Sequence, residues 1–266
     1  MKTKNQLSIL LISAAALFTS CNPVLYSTVG QNVPMFTEKG EVALQGGYAA
    51  SFGQDTDADG VALQAGYAVS NSLTVMGSYC SLKGLKEQGY IGSAPSEWDS
   101  KGSYLELGVG KYGTFTSKSF AWEVFAGLGT GTIKNNRAIE YVDCKLVKPF
   151  LQPSFGYISK YLDIIFTPRM GIVSYTSHSS SLLDPQQAQQ TYDFFDSDKN
   201  TFVFEPGITL RGGYKSMKLQ LQYNTTTFKA DINNDAITVV NKDYISIGVY
   251  FLISGRYNEI INNKDK

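Results

Sequence analysis

The sequence predicts an all-β protein: an antiparallel, up-and-down transmembrane β-barrel of about ten strands. Three observations carry this. About ten stretches alternate apolar and polar residues, the connections between them are by turns short and long, and the polar faces hold Gly, Ser, Thr and Gln in place of the Lys and Glu expected on a water-facing exterior. Beyond the amino-terminal stretch no apolar run is long enough for a helical span, so any crossing is made by strands.

The first strand sets Val42, Leu44, Tyr48, Ala50 and Phe52 against Ala43, Gln45, Gly47 and Ser51. The second, Val61 to Ser70, echoes Val42 to Ser51 almost residue for residue, and the third runs from Leu73 to Leu82. In the fourth, Leu105, Leu107 and Val109 oppose Glu106, Gly108 and Gly110; in the fifth, Phe120, Trp122, Val124 and Leu128 oppose Glu123, Gly127 and Gly129. The sixth spans Leu146 to Ile158, and the seventh sets Leu162, Ile164, Phe166, Met170 and Ile172 against Asp163, Thr167, Arg169 and Gly171. Pro149, Pro153 and Pro168 each remove a ladder donor, which predicts a bulge in this pair. The eighth opposes Phe202, Phe204, Ile208 and Leu210 to Glu205, Gly207, Thr209 and Arg211; the ninth opposes Met217, Leu219, Leu221 and Tyr223 to Lys218, Gln220, Gln222 and Asn224; Ile245 to Ile253 closes the set.

Short connections at 71–72, 113–119, 159–160 and 214–216 assign one rim to the periplasm. Longer ones at 53–59, 83–102, 134–145, 176–200 and 229–243 assign the other rim to the outside. The amino end carries Lys2 and Lys4, an apolar run from Leu7 to Phe18, then Thr19 and Ser20 before Cys21, the pattern of a secretory leader. Leu17 to Cys21 resembles a bacterial lipobox, with Phe18 a departure from the usual aliphatic residue, and the resemblance implies acylation of Cys21. The expected organisation is a signal peptide at 1–20, a lipid anchor and periplasmic segment at 21–40, the barrel at 41–254 and a periplasmic tail at 255–266, with both termini in the periplasm.

Twenty-three basic and 23 acidic residues leave no net field to draw nucleic acid or another polyanion. The competing fold is a soluble, lipid-tethered barrel with its apolar face inward around an apolar ligand. The small, weakly charged polar face favours the transmembrane form.

The chain resembles the small outer-membrane β-barrel proteins of Gram-negative bacteria, and most closely a lipobox-bearing group of Bacteroidota in which a stretch like Asn32 to Glu41 precedes the first strand. The resemblance implies location and architecture without a reaction. The implied partners are outer-membrane lipid, lipopolysaccharide and the barrel-assembly machinery. The tail at 255–266 departs from barrels that end on a terminal aromatic, which moves the expected insertion signal to Tyr250 and Phe251.

Glu106, Glu123, Asp163, Arg169, Glu205 and Arg211 form the candidate lumen charge network, with Lys111, Lys148 and Lys218 near strand ends. Buried ion pairing accounts for them, since an unpaired charge in a narrow barrel costs several kcal/mol; a narrow path for small polar solutes is the alternative. Asp55, Asp57 and Asp59 with Gly60 match the opening of a calcium loop, but the closing position holds Gly66 in place of glutamate, so no metal or cofactor is assigned. The single histidine, His178, has no paired acid motif, and no catalytic residue is assigned. Cys80 and Cys144 sit on non-neighbouring strands and are expected as free buried thiols. A structural or surface-binding scaffold is the favoured function class, with the aromatics Tyr90, Trp98, Tyr192, Phe194 and Phe195 in the outer loops.

Overall fold

The structure, a computed structural model, describes residues 23–52, 57–84, 98–116, 119–197, 199–229 and 239–254. The leader, Cys21, Asp55, Tyr90 and the carboxy-terminal tail lie outside them. The strands are β1 (Val24–Ser27), β2 (Val42–Phe52), β3 (Asp57–Ala68), β4 (Leu73–Gly84), β5 (Asp99–Thr114), β6 (Phe120–Arg137), β7 (Glu140–Ile158), β8 (Leu162–Ser181), β9 (Asn200–Tyr214), β10 (Met217–Thr225), β11 (Thr227–Lys229), β12 (Val239–Asn241) and β13 (Asp243–Ile253); one helix, α1 (Pro185–Ser197), lies between β8 and β9.

Strands β2 to β10 pair in sequence order, and β13 pairs with β10 on one side and β2 on the other, so the antiparallel sheet closes at ten strand positions. Closure leaves no exposed edge, and every strand can satisfy its backbone in lipid. The alternation read from the sequence is the alternation of the wall. Leu107, Leu219 and Ile247, 61, 66 and 61 % exposed, point outward, while Glu106, Gln220 and Ser246 beside them are buried inside. Tyrosines flank the apolar belt. Tyr48 and Tyr223 donate to Asp59 and Asp243 toward one end, and Phe120 with Tyr157 and Tyr161 with Tyr214 pair at the other. This overturns the inward-apolar alternative of a soluble barrel with an apolar pocket.

Three further expectations change. The connection at 134–145 is not a loop: β6 and β7 remain paired to Arg137 and Glu140, and Ala138 turns the chain with a positive φ of 52°. The bulge expected at the prolines lies elsewhere. The β7–β8 register is constant from Leu146–Tyr175 to Ile158–Asp163, past Pro149 and Pro153, and shifts between Lys145 and Leu146, leaving Thr176 as the extra residue. Asp57 and Asp59, expected in the connection at 53–59, are strand residues of β3, and Asp59 accepts from Tyr48.

The largest departure is at the amino end. The segment expected in the periplasm is inside the barrel: residues 23–36 are buried without interruption. β1 pairs in parallel with β12 beside the long-hairpin rim, whereas Glu41 and Val42 lie at the short-turn rim, where Val42 pairs with Ile253. The chain therefore threads the lumen from the long-hairpin end to the short-turn end before it begins the wall. Ser254, the last described residue, is at the short-turn end, so the two described ends lie at opposite mouths.

If the belt faces lipid, Leu107→Lys places a charge in hydrocarbon and lowers unfolding stability in bilayers by about 2–4 kcal/mol. The same exchange on a water-facing wall would change stability by less than about 0.5 kcal/mol. Equilibrium urea unfolding in vesicles separates the two.

Candidate functional site: the strapped lumen

The strap, residues 23–36, is apolar at both ends and polar in the middle, and the lumen matches it. At the long-hairpin end Leu25 and Val29 pack with Tyr104, Ile133, Leu146, Tyr175 and Val203; at the other end Val33 and Met35 pack with Ala121, Ile158 and Ile165, and Phe36 meets Tyr112 edge-on at 5.9 Å. An extended chain away from a sheet has unpaired backbone groups, and buried ones need partners. Wall side chains supply them. Asn135 both accepts from the Val24 amide (3.1 Å) and donates to its carbonyl (2.9 Å). Gln222 does the same for Gln31, at 2.9 and 2.8 Å. Gln152 donates to the Asn32 carbonyl, Arg211 to Val33, and Tyr250 to Pro34, at 2.6–2.7 Å. Gly30 allows a close approach: a Cβ there would sit 2.7 Å from the Tyr244 hydroxyl and 2.9 Å from Gln64 Nε2, and those side-chain ends would have to move.

The charged residues divide into two layers and a lone carboxylate. In the middle layer Glu106 of β5, Lys148 of β7, Arg169 of β8 and Glu205 of β9 form a neutral four-membered centre. Lys148 Nζ lies 2.9 Å from Glu106 and 3.2 Å from Glu205, and Arg169 lies 3.0 Å from Glu106 and 2.7 Å from Glu205. The strap completes it: Tyr26 donates to Glu205 at 2.6 Å, and Arg169 reaches the Val29 carbonyl at 3.3 Å. These four side chains are at most 4 % exposed, so pairing is what makes their burial tolerable. Gly129, on β6 between the strands that carry Glu106 and Lys148, leaves room for the Glu106 side chain.

The second layer lies nearer the short-turn rim. Asp163 accepts from Lys218 at 2.6 Å, with Arg211 at 4.0 Å, and Arg211 also donates to Gln220 at 2.7 Å while its guanidinium lies 3.7 Å from the Tyr250 ring centre. Glu123 lies within the field of Arg211 without a close ion pair to it, and accepts from the Met35 amide at 2.8 Å.

The six residues singled out from the sequence are therefore all inside the barrel, but not in one network. Lys148 and Lys218, which the sequence sets beside the six near strand ends, are full members of the two layers, Lys111 is not, and Tyr26 is the member that the sequence does not mark. Lys148 is not near a strand end: β7 begins at Glu140 and not at Leu146, and Lys148 lies eight residues into it, on the inward-facing set Val142, Cys144, Leu146, Lys148 and Phe150. The signal for the strap was Val24 to Tyr26, Val29 and Val33 to Phe36, apolar residues outside any wall strand with no face of their own to bury against. Cys80 and Cys144 are buried and free. His178 stacks on Phe195 of α1, rings 4.3 Å apart and 6° from parallel, in a cluster with Tyr175 and Phe194. Trp98 packs under Arg137 at 4.6 Å. Of the described loop aromatics, Tyr192 is the exposed one.

Arg169→Ala strands two buried carboxylates against one lysine and lowers stability by about 3–5 kcal/mol in detergent or lipid unfolding. Lys111→Ala, on the outer surface of β5, changes it by less than about 0.5 kcal/mol.

No protein-family model matches the sequence, and no curated protein matches it. Among solved structures, the attachment invasion locus protein Ail of Yersinia pestis overlaps 81 % of this chain and 99 % of its own, at 13 % identity and a TM-score of 0.35. The outer membrane protease OmpT of Escherichia coli overlaps 85 % and 99 %, at 8 % identity and a TM-score of 0.44. An outer membrane channel from Pseudomonas putida F1 overlaps 85 % and 100 %, at 11 % identity and 0.41. Their names span attachment, proteolysis and conduction, and at overlaps this loose none of those roles passes to this chain.

Proposed function

We propose that this protein is an outer-membrane β-barrel lipoprotein that acts as a sealed scaffold and binds partners through its long-hairpin rim. It has no catalytic role in this reading, and acylated Cys21 adds a lipid tether. The filled lumen carries the proposal: Arg169 and Glu205 at its centre are fully buried, and the strap occupies the axis through which a solute would pass. The rim supplies the surface. β6, β7 and β8 project there with α1 packed on β8, and Ile139, Leu183 and Tyr192 stand 75, 70 and 59 % exposed. Leu183 is held against the β6–β7 hairpin by its amide, which donates to Glu140 at 2.9 Å, so Ile139 and Leu183 belong to one tip. Lipopolysaccharide at the belt and the barrel-assembly machinery during insertion are the expected partners, with no nucleic acid. Long hairpins outside and short turns in the periplasm set the orientation.

A narrow pore for small polar solutes is the second reading. The wall behind the strap favours it, being polar at Gln64, Gln152, Gln220, Gln222 and Asn224. Planar-bilayer recording decides between them. The wild type is expected to insert and stay silent, while deletion of residues 23–36 opens steady steps of current. A steady wild-type current would replace the scaffold by the pore.

A further inference from the structure

We propose that the short-turn mouth holds a binding site for a soluble oxyanion, a carboxylate or phosphate group, with one oxygen seated on Arg211 Nη1 and the rest of the group under Lys215. A recess between strap and wall is lined by Met35, Asp163, Arg211, Lys215, Lys218 and Tyr250. Its volume is about 10 Å³, the room of a single oxygen atom with its hydrogens, so the remainder of any larger group stays outside the lip. Backbone bonds fix that lip. The Lys215 amide donates to the Lys160 carbonyl at 2.7 Å, the Gly213 amide to Tyr161 at 2.9 Å and the Leu252 amide to Ser216 at 2.8 Å, which ties two turns and the end of β13 together.

The charges in the recess are unequal: three cations stand against one carboxylate. Lys218 donates to Asp163 at 2.6 Å and to the Ser159 carbonyl, so this lysine and this carboxylate offset each other. Arg211 commits Nε to Gln220 and Nη2 to the Val33 carbonyl, at 2.7 and 2.6 Å. Nη1 is buried with no hydrogen-bond partner, and Asp163 Oδ2, at 4.0 Å, is beyond hydrogen-bond reach. Lys215 is half-buried at the lip, 5.0 Å from the Tyr214 ring centre, and makes no ion pair among the described residues. Glu123 acts on Arg211 from β6, bonded to the Met35 amide, and still leaves the cluster one positive charge in excess. Glu38 and Glu41, at the strap's exit, face Ser254 and the amides of Thr37 and Glu38.

A guanidinium held by two other bonds cannot turn Nη1 elsewhere, and a charged donor is best met by a charged oxygen. The flexible ammonium of Lys215 then covers the part of the anion that remains outside. The same excess of positive charge opposes a metal ion. The ligand comes from solution: the recess opens beside the strap, inside the ring of the wall, and Tyr161 and Tyr214 stand exposed on the outer surface as a pair with ring centres 5.7 Å apart.

Isothermal titration calorimetry tests this on the full chain refolded in zwitterionic micelles, at neutral pH and low ionic strength. Sodium phosphate and sodium acetate are the probes, and sodium chloride is the control for ionic strength. One oxyanion is expected to bind per barrel with a Kd of about 1 mM or below, the other to compete with it, and chloride to give no saturable heat. The tighter of the two names the group that the site takes. Because Arg211 also holds the strap at Val33, the residue to change is Lys215. Lys215→Asn removes the charge at the lip and suits the positive φ of 51° there; it is expected to weaken binding about tenfold. No saturable heat from either oxyanion, equal heat from chloride, or equal affinity in the wild type and Lys215→Asn overturns the site.

Discussion

Two carboxylates and two cations buried at mid-height, and the strap that seats on them, constrain everything else in this barrel. Glu106, Lys148, Arg169 and Glu205 come from β5, β7, β8 and β9, so they can neutralise one another only when those strands hold a fixed relative register. A slip of one residue on any of them would turn a charge outward into lipid. The antiparallel ladder brings the four groups to the same height, and the four groups in turn penalise every other ladder. The Tyr26 hydroxyl adds a fifth member from the strap, which ties the axial segment to the same level.

The strap removes the central difficulty of a narrow barrel. At ten strands the interior is too wide for wall side chains alone to meet everywhere and too narrow for a bulk-water channel lined by paired charges. An extended segment down the axis fills the remainder. Its apolar ends cover the mouths around Leu25 and Phe36, and its backbone amides and carbonyls become the partners of the wall's Gln, Asn and Arg side chains. The polar wall and the polar backbone satisfy each other, which is why amide side chains are so common inside.

Alternation made the wall legible in the sequence because a strand with lipid on one side and a crowded lumen on the other leaves little choice at each position. Glu106, Glu123, Asp163, Arg169, Glu205 and Arg211 were recognisable as lumen residues for the same reason. Their pairing was not, because partners depend on the heights of non-adjacent strands, and no sequence spacing encodes that. Lys148 reads as lying near a strand end because β6 and β7 continue past the belt, where the pattern inverts: Val142, Cys144 and Leu146 are buried inside while Lys145 faces out. The strap was hidden for a deeper reason. Its residues pair with side chains more than with a neighbouring strand, so neither the period of a strand nor that of a helix marks it.

The threading has a mechanical consequence. β2 follows the strap directly, and it meets β13 at the closing seam, so the ring is completed around a segment that is already its own continuation. Once shut, the segment can leave only by sliding along its length. A load applied along that axis falls on the contacts of Val24, Gln31, Asn32, Val33 and Pro34 in parallel, as in a sheared joint, in contrast to the one-at-a-time failure of a peeled one. The strap is a bolt within its own sleeve, held along its whole length by the wall that it also begins.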